Sequence, residues 1–180
     1  MLWEDVKERE QKPPVRHPNR DLPESQTARL GVIALLAVTI ALLLIVAIGG
    51  WSTLVGAKSV HILYIIVYGI FLGYVVKWNR GVLPVIAAGA VMLGVIALVA
   101  GPAWFARDKA GYQDPALPDA LLGTLTLAVI PVQMLLIVVA MWGFSQKWNV
   151  EEEIKPTDPD WPGRQTAPPA APPAPPAPAS

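Results

Sequence analysis

One uninterrupted apolar run constrains this chain more than anything else in it. Leu30 to about Gly50 (LGVIALLAVTIALLLIVAIGG) contains no charged residue. About 20 residues rising ~1.5 Å each cover the ~30 Å hydrocarbon layer of a bilayer, so the run reads as a transmembrane helix. Three more follow, from about Val60 to Val76, about Val82 to Gly101 and about Ala120 to Phe144. Backbone in lipid must satisfy its own hydrogen bonds, which a helix does within one segment. The strict alternation of a membrane β-strand is missing. The expected fold is an all-α integral membrane protein: four transmembrane helices joined by short loops into an up-down-up-down bundle.

The first run is not expected to be a cleaved signal, although Val55-Gly56-Ala57 supplies small residues near a cleavage point. Signal cores are only about 7–15 residues long. This one is longer and follows a leader of mixed charge, which makes it an uncleaved anchor.

Composition narrows the function. Hydrophobic types make up 53% of the 180 residues and charged types 16%, against roughly 45–50% and about 25% in globular chains. Mean hydropathy is +0.44 despite polar stretches at both ends, which excludes a soluble core protein. A net charge of zero offers no field for nucleic acid. The absence of cysteine excludes a disulfide framework, a thiolate metal site and thiol–disulfide exchange.

Three regions result: a charged tail over 1–28, a transmembrane domain over 29–150 and a proline- and alanine-rich tail over 151–180. Ten prolines in the 25 residues from Pro156 favour an extended, solvated polyproline strand. Its PxxP spacings, Pro169–Pro172 and Pro173–Pro176, suit a strip lying along a cytoplasmic partner, and a plain solubilising tail is the simpler reading. Eleven basic residues fall in the first, third and fifth segments outside the spans and three (Lys58, Arg107, Lys109) in the other two. The positive-inside bias then puts both termini in the cytoplasm. Trp51 and Trp104 are expected at the outer interface, and Trp78, Trp142 and Trp148 at the inner one. In the outer loop Pro102–Pro118, Asp119 is expected to cap the fourth helix.

Candidate sites are few. Ala87, Ala90, Gly94, Ala97 and Gly101 repeat at 3, 4, 3, 4 and line one face of the third span. Gly69 and Gly73 form GxxxG on the second. Small residues let helices approach closely in lipid, so both are expected to be packing surfaces, within the chain or against a partner. Gln133, on one face with Thr126, is expected to hydrogen-bond another helix, and Pro131 to kink its own. His61, Tyr64 and Tyr68 share a face of the second span and are candidate quinone contacts. Their plainer reading is headgroup-level anchoring or a bond to a neighbouring helix. The segments Gly73–Asn79 (GYVVKWN) and Gly143–Asn149 (GFSQKWN) echo each other 70 residues apart, as a duplicated hairpin would.

No Asp, Glu, Lys or Arg lies inside any span, whereas pumps, ion-coupled transporters and voltage sensors need such groups. With only His17 and His61, a haem held by this chain alone is not expected. Asp108, Asp114 and Asp119 have no histidine beside them, and Glu151–Glu153 reads as a solvated run. No phosphate loop, dinucleotide fingerprint or nucleophilic triad is present. The expectation is a non-catalytic structural or assembly subunit of a larger bacterial membrane complex, in the cytoplasmic membrane, with other integral membrane subunits and lipid as partners. A respiratory or other electron-transfer assembly leads the examples. No cofactor of its own is expected, although haem or quinone held by partners can touch it. A small oligomeric carrier or channel and a quinone-contacting subunit are the alternatives.

Overall fold

The computed structural model describes residues 15–54, 56–107, 115–155 and 157–159. Val55, Asp108, Asp114, the tail before Val15 and both PxxP spacings lie outside those residues, so the readings placed on them rest on sequence.

His17–Val150 forms one compact unit. Its helices are α1 (Pro23–Gly49), α2 (Lys58–Val76), α3 (Leu83–Phe105) and α4 (Asp119–Ser145). All four are long and apolar enough to cross a membrane, α3 counted with the 3₁₀ turn Arg80–Val82 before it. The helices outrun the apolar runs at most ends, because hydropathy marks where lipid begins and backbone hydrogen bonding does not stop there. Helix α1 starts seven residues before Leu30: Pro23 stands at its first position with φ preset, and Glu24 complements the N-terminal dipole. The tail expected over 1–28 is therefore helical from Pro23. Helix α3 continues past Gly101 through Pro102 to Phe105, since a proline in the last turns removes only one ladder bond. Asp119 is the first residue of α4 and not its cap. Pro118 occupies that place, its carbonyl accepting from the amides of Leu121 and Leu122. Pro131 lies within α4, which runs unbroken to Ser145.

The helices pack in the order α2, α1, α4, α3, with α3 against α4 the most extensive pair. Helices α2 and α3, although consecutive, barely touch. The main core joins Val32 and Leu36 of α1, Tyr68 and Val75 of α2, Ile86 and Ala90 of α3, Val129 and Leu136 of α4, and Trp148. A smaller cluster at the end carrying the α1–α2 connection joins Val46, Leu54, Trp104 and Leu122. Call this the loop end, and the opposite one the tail end.

Two of the tryptophans expected in interfacial belts pack into the core at the helix ends: Trp104 is 3% exposed and Trp148 fully buried. Trp104 lies over Gly50, where an added Cβ would come 2.5 Å from the indole. Trp148 meets Trp78 edge-on at 5.5 Å, and its indole N–H is buried without a partner. An indole can bury wherever a glycine or a second ring leaves it a flat berth, and span ends do not reveal that.

The second unit comprises Met1–Arg16 and Glu151–Ser180. Within it β1 (Val15–Arg16) pairs antiparallel with β2 (Glu152–Glu153), and Arg16 bridges Glu152 at 3.0 Å. Val15 and Arg16, read from sequence as part of a charged tail, and Glu152 and Glu153, read as part of a solvated run, are joined by a short ladder and an ion pair.

Candidate functional site

Three of the polar side chains buried in the bundle, Tyr68, Thr39 and Gln133, meet at one point. The Tyr68 hydroxyl of α2 donates to Gln133 Oε1 of α4 at 2.8 Å, and Gln133 Nε2 donates to Thr39 Oγ1 of α1 at 2.9 Å. The Thr39 hydroxyl in turn donates a hydrogen bond to the Leu35 carbonyl at 2.8 Å. Gln133 is 1% exposed, and Tyr68 and Thr39 are fully buried. One glutamine thus ties three helices together, its carbonyl accepting from α2 and its amide donating to α1. Thr126, seven residues before Gln133, bonds the Leu122 carbonyl of its own helix at 2.7 Å. Gln133, although 1% exposed, lines an apolar surface groove of about 230 Å³ between α3 and α4, and Thr126 borders both a small cavity of about 40 Å³ and a wider groove of about 300 Å³.

The face His61–Tyr64–Tyr68 divides. Tyr68 stacks edge-on with Tyr64 at 5.9 Å, but its hydroxyl is committed to Gln133. His61 and Tyr64 border the small cavity together with Leu93, Ala97 and Val129. His61 also borders a wider groove of about 300 Å³ between α2 and α3, open at the loop end. Its Nδ1 lies 3.1 Å from the Ala57 carbonyl. A carbonyl can only accept, so that bond makes Nδ1 the donor, and in the neutral imidazole Nε2 is then an acceptor.

The two small-residue faces also part company. Ala87, Ala90, Ala97 and Gly101 of α3 are buried, with Gly94 half-buried 3.8 Å from the Gln133 Cβ as seen by an added Cβ. Gly101 meets the Leu127 side chain so closely that a Cβ there would overlap it. Gly69 and Gly73 of α2 are exposed, and an added Cβ on either would meet nothing within 4 Å.

At the tail end, basic residues counted in the sequence only for orientation do a second task. Arg29 donates to the carbonyls of Val75 (3.3 Å) and Val76 (2.7 Å) at the end of α2, and its guanidinium sits 4.4 Å from the Trp78 ring centre. Arg80 donates to the Phe144 carbonyl at the end of α4 (2.6 Å) and lies 4.0 Å from that ring. Cations here offset the negative ends of the two helix dipoles. At the loop end Lys58 covers Trp51 at 4.8 Å and Arg107 covers Trp104 at 4.7 Å. Thr39 and these arginine caps were missed in the sequence. A lone hydroxyl in an apolar run and an arginine seven residues inside a helix start carry no local mark of their partners.

Among the described residues, no three His, Asp or Glu side chains converge as a metal site would require. Glu152 faces Arg16, and Asp119 Oδ1 is buried without a partner. No protein-family model, curated protein or solved structure matches the chain.

Proposed function

We propose that this chain is a non-catalytic structural or assembly subunit of a larger bacterial membrane complex, a respiratory or other electron-transfer assembly being the leading example. It inserts in the cytoplasmic membrane as an up-down-up-down bundle with both tails inside, and the C-terminal tail lies along a cytoplasmic partner. The observation that carries the reading is helix α2. Only 11% of its most apolar window is buried, against 28–33% for the other three. Among the described residues, nothing lies within 4 Å of a Cβ added at either of its two glycines, four residues apart. Glycine against lipid gains nothing and weakens the helix, whereas against another helix it permits close backbone approach. A partner helix seated on Gly69 and Gly73 gives those residues a use.

Gentle solubilisation from native membranes, native electrophoresis and identification of co-migrating subunits test the reading. A stable larger assembly, lost in Gly69→Ile/Gly73→Ile, supports it. A monodisperse species of one 19.3 kDa chain without partners overturns it. Orientation is tested in the cysteine-free background. Gln113→Cys should react with an impermeant maleimide on intact cells and Ser145→Cys should not, and the reverse pattern moves both tails outside.

A further inference from the structure

The two hairpins, α1–α2 and α3–α4, carry the same terminal devices. In each, an arginine caps the end of the second helix: Arg29, in the second turn of α1, on Val75 and Val76, and Arg80, in the 3₁₀ turn before α3, on Phe144. In each, a tryptophan near the end of the first helix lies under a cation, Lys58 or Arg107. Exchanging the hairpins turns the pair α1–α4 into the pair α3–α2. The first of these pairs is closed, with Gly31 of α1 2.9 Å from Val139 of α4 as judged from an added Cβ. The second stands apart.

Side-chain size explains the difference. Tyr64, Tyr68 and Phe71 recur along the inward face of α2, and Tyr68 and Phe71 reach to within 4 Å of a Cβ added at Gly89 of α3. Aromatic rings thus hold α3 away and fill the gap toward the tail end. Toward the loop end the side chains on this side shrink to Val60 of α2 and to Ala57 and Gly56 of the connection before it, and the gap is left as the groove of about 300 Å³. Its other wall is Ile96, Ala100, Ala103 and Trp104 of α3. The small cavity of about 40 Å³ shares Val60, His61, Ile96 and Ala100 with it and continues it inward.

The groove is apolar along its length and positive at its mouth. Arg107 lines it, held by the Trp104 ring and by one hydrogen bond from Nη1 to the Thr53 carbonyl at 3.2 Å. A guanidinium has five N–H donors, so others remain. None of the described lining residues is acidic. The Thr126 hydroxyl at the wall is already bonded to Leu122, and His61 offers Nε2 as an acceptor about one turn into α2, roughly 5 Å below its start. A cation over an apolar slot at the membrane boundary matches an amphiphile with an anionic head and a hydrocarbon chain.

We propose that the α2–α3 groove holds one anionic phospholipid of the loop-end leaflet, its acyl chain between Val60 and Ile96 and its phosphate on Arg107. A hydroxyl of a glycerol headgroup supplies the donor that His61 Nε2 accepts. The site is independent of any partner helix on Gly69 and Gly73, which lie nearer the tail end.

Native mass spectrometry of the full chain in detergent, with dioleoyl phosphatidylglycerol, dioleoyl phosphatidylcholine or decylubiquinone at equal concentration, tests it. One phosphatidylglycerol per chain should be retained, with about a five- to tenfold preference over phosphatidylcholine, the discrimination that about 1 to 1.4 kcal/mol from one basic residue gives. Arg107→Gln should lose the preference, and Ala100→Trp should lose retention by filling the groove. Val99→Trp, on the exposed side of the same helix, should keep both. Retention by Arg107→Gln equal to wild type overturns the proposal, as does displacement of phosphatidylglycerol by decylubiquinone. If Ala100→Trp does not fold, His61→Phe takes its place, and undiminished retention there has the same consequence.

Discussion

The hairpins α1–α2 and α3–α4 share their ends and differ in their middles. Both are closed at the tail end by an arginine on the partner's carbonyls and capped at the loop end by a cation on tryptophan. Between those ends α3 lies on α4 through alanine and glycine, while α2 reaches its neighbours through aromatic rings and a single hydrogen-bonded tyrosine. Terminal anchors decide which helices form a hairpin, and interior side-chain size decides how tightly it shuts. In lipid, where water exclusion does not drive helices together, the second factor sets most of the packing energy.

The strongest way to break the contrast is to make the tight hairpin resemble the loose one. In Gly101→Ile the new side chain must occupy space held by Leu127, whose atoms already overlap an added Cβ. Overpacking of this kind costs about 1–3 kcal/mol, and the rigid helix pair leaves little room for relief. The expected outcome is a clearly lowered midpoint when helix content is followed through denaturing detergent. An unchanged midpoint would mean that α3 and α4 are not in close contact there.

A smaller effect is expected where the loose hairpin is fastened. Gln133→Leu removes two interhelical hydrogen bonds and strands the Tyr68 hydroxyl, while Thr39 keeps its bond to Leu35. Such bonds average about 0.6 kcal/mol in membrane proteins, so roughly 1 kcal/mol is expected. The loss should fall on α2 alone. Hydrogen exchange should quicken in Tyr64–Val75 and stay unchanged in α3, and uniform quickening would show Gln133 to be a general core residue instead.

The spans were legible because hydropathy over some twenty residues is a local property that tertiary contacts do not alter. Partners were not. The sequence marked Gln133 as polar at depth, but Thr39 becomes its partner only through the register of α1 against α4. The small-residue stripe of α3 was visible as a pattern, while the side it packs on follows from α4 and not from α3. The burial of Trp104 and Trp148 left no mark, because exposed and buried tryptophans look alike at a helix end. The gap between α2 and α3 had no signature, since consecutive helices on a short loop are ordinarily neighbours.

Comparable in size to the Gln133 effect are the arginine caps, which the comparison predicts to be equivalent. Arg29→Gln and Arg80→Gln each remove a charge from the end of a helix dipole, worth about 0.3–1 kcal/mol at a boundary. Each also removes a cation from an aromatic face, worth about 0.5–1 kcal/mol when exposed. Equal drops in thermal midpoint would support a duplicated device. A much larger drop for Arg80→Gln would show that the tight hairpin depends on its cap and that the likeness of the two ends is superficial.

The smallest effect on the isolated chain is expected at Gly69 and Gly73, and it discriminates most sharply. A Cβ at either position enters open space, and leucine in place of an exposed helical glycine gains roughly 0.5–1 kcal/mol of helix propensity. Gly69→Leu/Gly73→Leu should therefore unfold at or slightly above the wild-type midpoint in detergent, the opposite sign from Gly101→Ile. If the face meets only lipid, the same double variant should also be indistinguishable in native membranes. If it meets a partner helix, the added side chains push the backbones apart, and the chain should leave its assembly although it is itself no less stable. Stability in detergent and abundance in the native complex then move in different directions, which loss of folding cannot mimic. A fall in both would place a neighbour within this chain against those glycines and contradict the open face of α2.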